Sequence, residues 1–237
     1  VIIIPARLAS TRFPNKILAD IHGLPMVIAT AKRVQNLDDV AIAADTQEVV
    51  TLAQKYGFKA ILTSQEHQSG TDRINEAASK LGLSEDEIIV NVQADEPFIE
   101  ENVVQKVIEK AKTTNAMITS ACKKIESLHV KDPNLVKVIL DANDQAIYFS
   151  RSPIPYDREG GFDGYFGHLG IYAFRKKSLE MFCSLPYAPL EHIEKLEQLR
   201  AIYHGYTIAM VEVQSQSFGI DTKEDLERAL TFFQNKQ

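Results

Sequence analysis

Through its first half the chain alternates short, wholly apolar runs with longer stretches in which apolar positions recur every three or four residues. The apolar runs are rich in Val and Ile. VIII at 1–4, VAIAA at 40–44, KAILTS at 59–64 and IIVNVQ at 88–93 each have the length of a strand. All four are apolar on both faces, which predicts central strands of a parallel sheet. The intervening segments predict helices. One covers about 25–34, and TQEVVTLAQKYG forms a second, closed by Gly57. SGTDRINEAASKLG forms a third, capped by Ser69 or Thr71 and ended by Gly82, and a fourth covers about 100–112. Strand and helix in strict alternation imply an α/β sheet covered on both sides.

The pattern changes after about residue 116. MITSACKKI, LVKVILDA and QAIYFSRS read as longer strands, the last two joined by a tight turn at Asn143 and Asp144. Residues 158–168 hold four glycines and three aromatics and predict a mobile loop before the strand HLGIYAFR. PLEHIEKLEQLRAIYHG predicts one amphipathic helix over 189–204, with Pro189 near its start and Gly205 at its end. Its apolar stripe is Leu190, Ile193, Leu196 and Tyr203, and Glu197 falls inside that arc at about 100° per residue. YTIAMVEV gives a last strand, and SFGIDTKEDLE leads into a terminal helix. The expected plan is a doubly wound, mostly parallel sheet with a smaller sheet-containing insertion. Residues 1–116 form the main part, 117–188 the insertion, and 189–237 return to the first part.

Composition narrows the partners. The 237 residues carry a formal charge of -6, which argues against a broad basic surface for nucleic acid. A few clustered cations could still hold a small anion. No apolar run reaches transmembrane length and no charged segment precedes the first strand, so a cytoplasmic protein without membrane insertion is expected. Cys122 and Cys183 lack metal-ligand spacing and read as small buried hydrophobes.

In open α/β sheets ligands bind beyond the carboxyl ends of the strands, so charge in the loops leaving strands matters most. PARLASTRFPNK places Arg7, Arg12 and Lys16 directly after the first strand, without glycine. Three cations there favour phosphate binding over an ordinary solvated loop. NVQADEP ends an uncharged strand on Asp95 and Glu96, and Asp95 is a candidate ligand for a hard divalent cation. Glu96 alone is the weaker candidate, while Glu100 and Glu101 suit a helix N-terminus. In GIDTKEDLE, spacing alone makes Thr222 and Asp225 a helix cap. Asp221 becomes a metal ligand only with a partner such as Asp95. His67 and His168 are ambiguous singly.

Taken in order, PARLASTRFPNK, HQSGTDRINEAA, IIVNVQADEP, YFSRSPIPYDR, HLGIYAFR, IEKLEQLRAIYHG and FGIDTKEDLE closely resemble the 3-deoxy-D-manno-octulosonate (Kdo) cytidylyltransferases, the CMP-Kdo synthetases. The resemblance spans nearly the whole chain. It implies a nucleotide-diphospho-sugar transferase type of α/β fold with a smaller substrate and dimerisation domain. It also implies a Mg²⁺-dependent homodimer joining CTP and Kdo into CMP-Kdo and pyrophosphate, which activates the sugar for lipopolysaccharide or capsule. It places Arg7 and Lys16 on the CTP phosphates, with Arg12 supporting their loop. Pro5, Ala6, Gly70 and Arg73 are expected along the nucleotide, and Gln93, Arg151, His168, Tyr172, Glu197 and Gln198 about Kdo. Asp95 and Asp221 become the paired metal carboxylates, which replaces the purely structural reading of Asp221. The chain departs from the family pattern at Ala94, where glycine is usual; a methyl group there is expected to tune activity if the backbone must approach the ligand closely. The two rival readings are a cytidylyltransferase for another nonulosonic acid or an 8-amino Kdo analogue, and a non-catalytic nucleotide sensor.

Overall fold

The computed structural model describes residues 1–10 and 12–234. They form two compact units, Val1–Gln105 with Ser215–Gln237, and Lys106–Gln214. The sequence pattern brings the chain back to the first unit at 189; in the structure the return comes at Ser215.

The first unit contains β1 (Ile2–Ala6), the short hairpin β2 (Asp20–Ile21) and β3 (Leu24–Pro25), and α1 (Met26–Val34). Then come β4 (Val40–Ala44), α2 (Gln47–Lys55), β5 (Lys59–Leu62), α3 (Gly70–Lys80), β6 (Ile88–Asn91) and the start of α4 (Glu101–Thr113). Its strands pair in parallel in the order β6-β1-β4-β5. Ile2, Ile3, Ile4, Ile42, Ile89 and Val90 are fully buried, as residues covered on both faces should be. The uniform apolar reading fails at β5, an edge strand whose Lys59 and Leu62 are exposed. The helix signals hold. Thr46 caps α2 by accepting from the Val49 N–H, Ser69 caps α3 by accepting from the Asp72 N–H at 3.0 Å, and Gly57 and Gly82 take positive φ after their helices.

The second unit contains β7 (Ile118–Lys124), β8 (Lys137–Leu140), β9 (Ala146–Ser150), β10 (Phe166–Arg175), α5 (Lys176–Ser184), α6 (Pro189–Glu194), α7 (Leu199–Tyr203) and β11 (Ile208–Glu212). Its sheet runs β11-β7-β10-β8-β9 and is antiparallel except between β11 and β7. The glycine-rich loop is shorter than its sequence suggests, because β10 already starts at Phe166. The Asp157 carboxylate gathers the Gly160 and Phe162 N–H groups at 2.8 Å each, and Tyr165 is buried.

The single helix expected over 189–204 is two helices. Lys195, with φ 53°, turns the chain between α6 and α7. The expected stripe breaks with it: Ile193 is 76% exposed and Tyr203 52%. The buried face instead carries Glu191, Leu196, Gln198, Leu199 and Arg200. Arg200 pairs with Glu191 at 2.6 Å between the rings of Phe182 and Tyr187. A buried ion pair sandwiched by aromatics overrode apolar periodicity.

α8 (Lys223–Gln234) returns to the first unit. Ile220 and Ala229 pack there with Ile21 and Met26, and Phe233 stacks on Phe98 at 4.3 Å.

Candidate active site

The basic loop leaves the carboxyl end of β1 and is held from below. Phe13 and Ile17 are buried, and the Asp45 carboxylate, just past β4, accepts the Leu8 N–H at 3.0 Å. Asn15 adopts φ 55° and launches a single 3₁₀ turn, Lys16–Leu18. Asn is the non-glycine residue best suited to that left-handed conformation, so the loop reverses direction without a glycine.

Three separate segments bring charge together here. Lys16 Nζ donates to Asp95 Oδ2 at 2.5 Å and to Asp221 Oδ1 at 3.0 Å, and Arg12 Nη2 reaches Asp221 Oδ2 at 3.0 Å. The Ile220 N–H donates to the Asp95 carbonyl at 3.0 Å, which seats the 219–221 segment beside Asp95. The Glu100 carboxylate accepts from Ser215 Oγ at 2.8 Å and the Gln216 N–H at 2.7 Å, steering the returning chain to that place. Thr222 and Asp225 do form the helix cap: the Asp225 N–H donates to Thr222 Oγ1 at 3.1 Å, and the Thr222 N–H to Asp225 at 3.0 Å. Asp221 itself is left to face the cations. Burial pushes its carboxyl upward, but the Lys16 ammonium and then Arg12 outweigh that and hold it below the usual carboxylate range. Burial likewise lowers the Lys16 pKa, and Asp95 and Asp221 overcome it and raise the net value.

These groups line a cavity of about 530 Å³ with Pro5, Arg7, His67, Gly70, Arg73 and Gln93. Arg7 pairs with no carboxylate among the described residues. Gly70 opens α3 against Pro5: a Cβ there would lie 3.2 Å from Pro5 Cγ, a tight contact that would push the proline ring by a few tenths of an ångström. Arg73 is buried and donates to Thr63 Oγ1 at 2.6 Å and the Ser64 carbonyl at 3.0 Å, fixing the loop after β5. Burial lowers its pKa, Asp45 opposes the shift, and Arg7 adds to it. His67 pairs with Glu76, which also meets Lys80 at 2.7 Å. Ala6, between Pro5 and Arg7, is fully buried and does not itself line the cavity. Glu96 does not line it either. Ala94 does, with its carbonyl accepting from Thr30 Oγ1 at 3.0 Å. Its φ is not positive, so its backbone makes no demand for glycine.

In the second unit three of the expected Kdo residues form one polar chain. His168 Nε2 lies 2.9 Å from Ser120 Oγ, Gln198 Nε2 3.5 Å from His168 Nδ1, and Tyr172 Oη 3.3 Å from Gln198 Oε1. The pairing of β10 with β7 shifts register between Leu169 and Tyr172, and Ser120 Oγ donates to the Ile171 carbonyl at 2.7 Å. Burial drives the His168 pKa down to about 3, and burial with the Glu197 charge raises that of Tyr172. Glu197 stands 3.6 Å from Arg200. Arg151 is bound to main chain. Its guanidinium donates to the backbone carbonyls of Glu194 at 2.7 Å and Pro133 at 2.9 Å, with Lys195 at 3.4 Å.

A profile of the cytidylyltransferases matches residues 1–209. The 3-deoxy-manno-octulosonate cytidylyltransferase of a Nitratiruptor species is 60% identical over 231 residues, covering 96% of this chain and 97% of that one. The protein of the same name from Wolinella succinogenes is 52% identical, covering 98% of each. This chain belongs to the 3-deoxy-manno-octulosonate cytidylyltransferase family. The solved structure of a CMP:2-keto-3-deoxy-manno-octonic acid synthetase complexed with CTP matches it with a TM-score of 0.94 at 36% identity, over 100% of this chain and 99% of that one. A cytidylyltransferase from Leptospira borgpetersenii, 16% identical with a TM-score of 0.62 over 100% of this chain and 87% of that one, shares the fold alone. The family resemblance and the α/β nucleotidyltransferase fold expected from the motifs therefore hold.

Two residues that shape the site are not singled out by the sequence. Asp45 had a legible signal, an acid at the carboxyl end of the buried strand VAIAA. Glu100 read as an ordinary helix-start acid, since nothing local shows that it receives a segment from the far end of the chain.

Proposed function

We propose that this chain transfers CMP from CTP to Kdo and releases pyrophosphate. The observation that carries the reading is the convergence of Lys16, Asp95 and Asp221 beside a cavity lined by Arg7 and the start of α3, in a chain of this family. Arg7 and Lys16 receive the triphosphate, Arg offering paired donors and Lys a mobile point charge. The N-terminus of α3, at Ser69 and Gly70, adds backbone N–H groups and a favourable dipole. Gln93, Arg151, His168, Tyr172, Glu197 and Gln198 are assigned to Kdo. Neutral His168, Gln198 and Tyr172 orient hydroxyls, while Arg151 acts chiefly by holding the backbone at Glu194.

A divalent metal suits the family, and the donor set here fits Mg²⁺: two carboxylates already converge on one cationic atom. Asp95 and Asp221 would hold it, and bound Mg²⁺ supplies a lowered hydroxyl pKa and neutralised phosphate charge. The anomeric oxygen of Kdo attacks the α-phosphorus in line, and pyrophosphate departs opposite. Arg7 and Lys16 stabilise the charge it carries away. Positioning of the two anions supplies much of the acceleration. The proposal extends to a cytoplasmic homodimer; no helix among the described residues is long and apolar enough to cross a membrane.

The test is pyrophosphate release by purified protein with CTP, Mg²⁺ and a panel of sugar acids. Kdo is expected to give the fastest release. No release with Kdo overturns the reading, and preference for an 8-amino analogue or another nonulosonic acid redirects it.

A further inference from the structure

Lys16 stands where the two carboxylates meet. Its ammonium is within hydrogen-bond distance of Asp95 Oδ2 and Asp221 Oδ1, and Arg12 takes the other Asp221 oxygen. Three carboxylate oxygens are thus already matched to positive charge. A hard divalent ion held between the two carboxylates needs their oxygens at about 2.0–2.1 Å, with its charge where the ammonium now lies. It cannot share them with an ammonium 2.5 and 3.0 Å away, on grounds of both space and repulsion. The Lys16 side chain is nevertheless free to leave. It is a flexible four-carbon stem, it rises from a single 3₁₀ turn, and it lines the cavity that holds Arg7 and Gly70.

We infer that Lys16 is an internal cation that keeps Asp95 and Asp221 closed to a divalent ion until a nucleotide triphosphate draws its ammonium away. The inference rests on the assignment of the cavity to CTP. The exchange balances: Lys16 gives up two carboxylates and gains phosphate oxygens, so its charge is never left bare. The carboxylates it leaves are two adjacent anions, with only the exposed Arg12 still on Asp221, which makes them a good cation site only then. Arg12, 65% exposed, can follow the same route at little cost. By linkage, nucleotide must then tighten metal binding and metal must tighten nucleotide binding by the same factor. Lys16 therefore sets the order in which the site fills, in addition to gripping phosphate.

The probe is Mn²⁺ alone, without nucleotide, followed by loss of the free-ion paramagnetic resonance signal. Wild-type protein is expected to bind it weakly, and Lys16→Met to bind it roughly tenfold more tightly, within the ordinary range of coupled sites. Adding Asp95→Asn to Lys16→Met should abolish the gain. In thermal unfolding, Mn²⁺ should raise the midpoint of Lys16→Met and leave that of wild type unmoved. Lys16→Gln serves the same purpose if the apolar variant folds poorly. Equal Mn²⁺ affinity in wild type and the Lys16 variants overturns the inference. So does tight binding by wild type alone that Asp95→Asn removes. Failure of the functional reading would appear elsewhere, as absent pyrophosphate release from the unmodified protein.

Discussion

Two lysines show how differently the two units use positive charge. Lys16 sits beside a cavity and is held by carboxylates. Lys137 is fully buried, and its Nζ donates to the backbone carbonyls of Asp132 at 2.8 Å, Leu135 at 2.6 Å and Arg151 at 2.6 Å. Arg151 repeats that choice in the same unit by donating to carbonyls, while Arg200 is locked on Glu191 between two rings. The carbonyls that hold Lys137 and Arg151 belong to the main chain of the same unit, so these contacts tie its segments together. Carboxylates at a cavity can accept a different cation, and a lysine can leave them for phosphate. The same residue type is a staple in one unit and an exchangeable ligand in the other because its partners differ.

The contrast can be broken by substitution. The largest effect is expected from Asp95→Asn, which should retain CTP binding but slow pyrophosphate release by on the order of 10²- to 10³-fold, read by steady-state kinetics beside nucleotide calorimetry. Near-normal turnover would remove Asp95 from the metal assignment. Lys137→Met comes next. It strands buried carbonyls and should cost about 2–3 kcal/mol in denaturant unfolding; unchanged stability would show that Lys137 is no staple.

His168 supplies a smaller, pH-dependent effect. Its native pKa is depressed to about 3, below the ordinary 6.5, so the unfolded chain takes up a proton that the folded chain refuses. Its contribution is fully present above pH 6.5 and is lost as pH falls towards 3, by roughly 1.4 kcal/mol at pH 5.5. Comparing wild type with His168→Gln across pH 7 to 5 isolates this loss, and parallel curves would deny the depressed pKa. The smallest effect is expected at Ala94. Its φ is not positive, so Ala94→Gly gains no conformational relief and costs about 0.5–1 kcal/mol of stability with activity little changed. A large rise in activity would mean that the methyl group crowds the ligand after all.

Legibility from sequence followed the range of the interaction. VAIAA at 40–44 is β4 residue for residue, and of the two caps offered for α3, Ser69 and Thr71, the structure uses Ser69. The basic loop and Asp95 stood out as charge at strand ends. The 189–204 segment misled because periodicity counts apolar residues, whereas there the buried partners are Glu191 and Arg200. Asp221 was ambiguous for a related reason: spacing saw the Thr222 cap and could not see Lys16.

Strands, helices, caps and the parallel core were written in the order of residues, because backbone preference and apolar period act over a few positions. The family, too, was readable in seven collinear motifs. Which cation sits on which carboxylate was decided only by the folded chain. Lys16 lies 79 residues from Asp95 and 205 from Asp221, and they meet because Ile220 hydrogen-bonds to Asp95 and Glu100 gathers residues 215–217. Ion pairing depends on separations of a few ångströms set by those long-range contacts, and no local pattern encodes them.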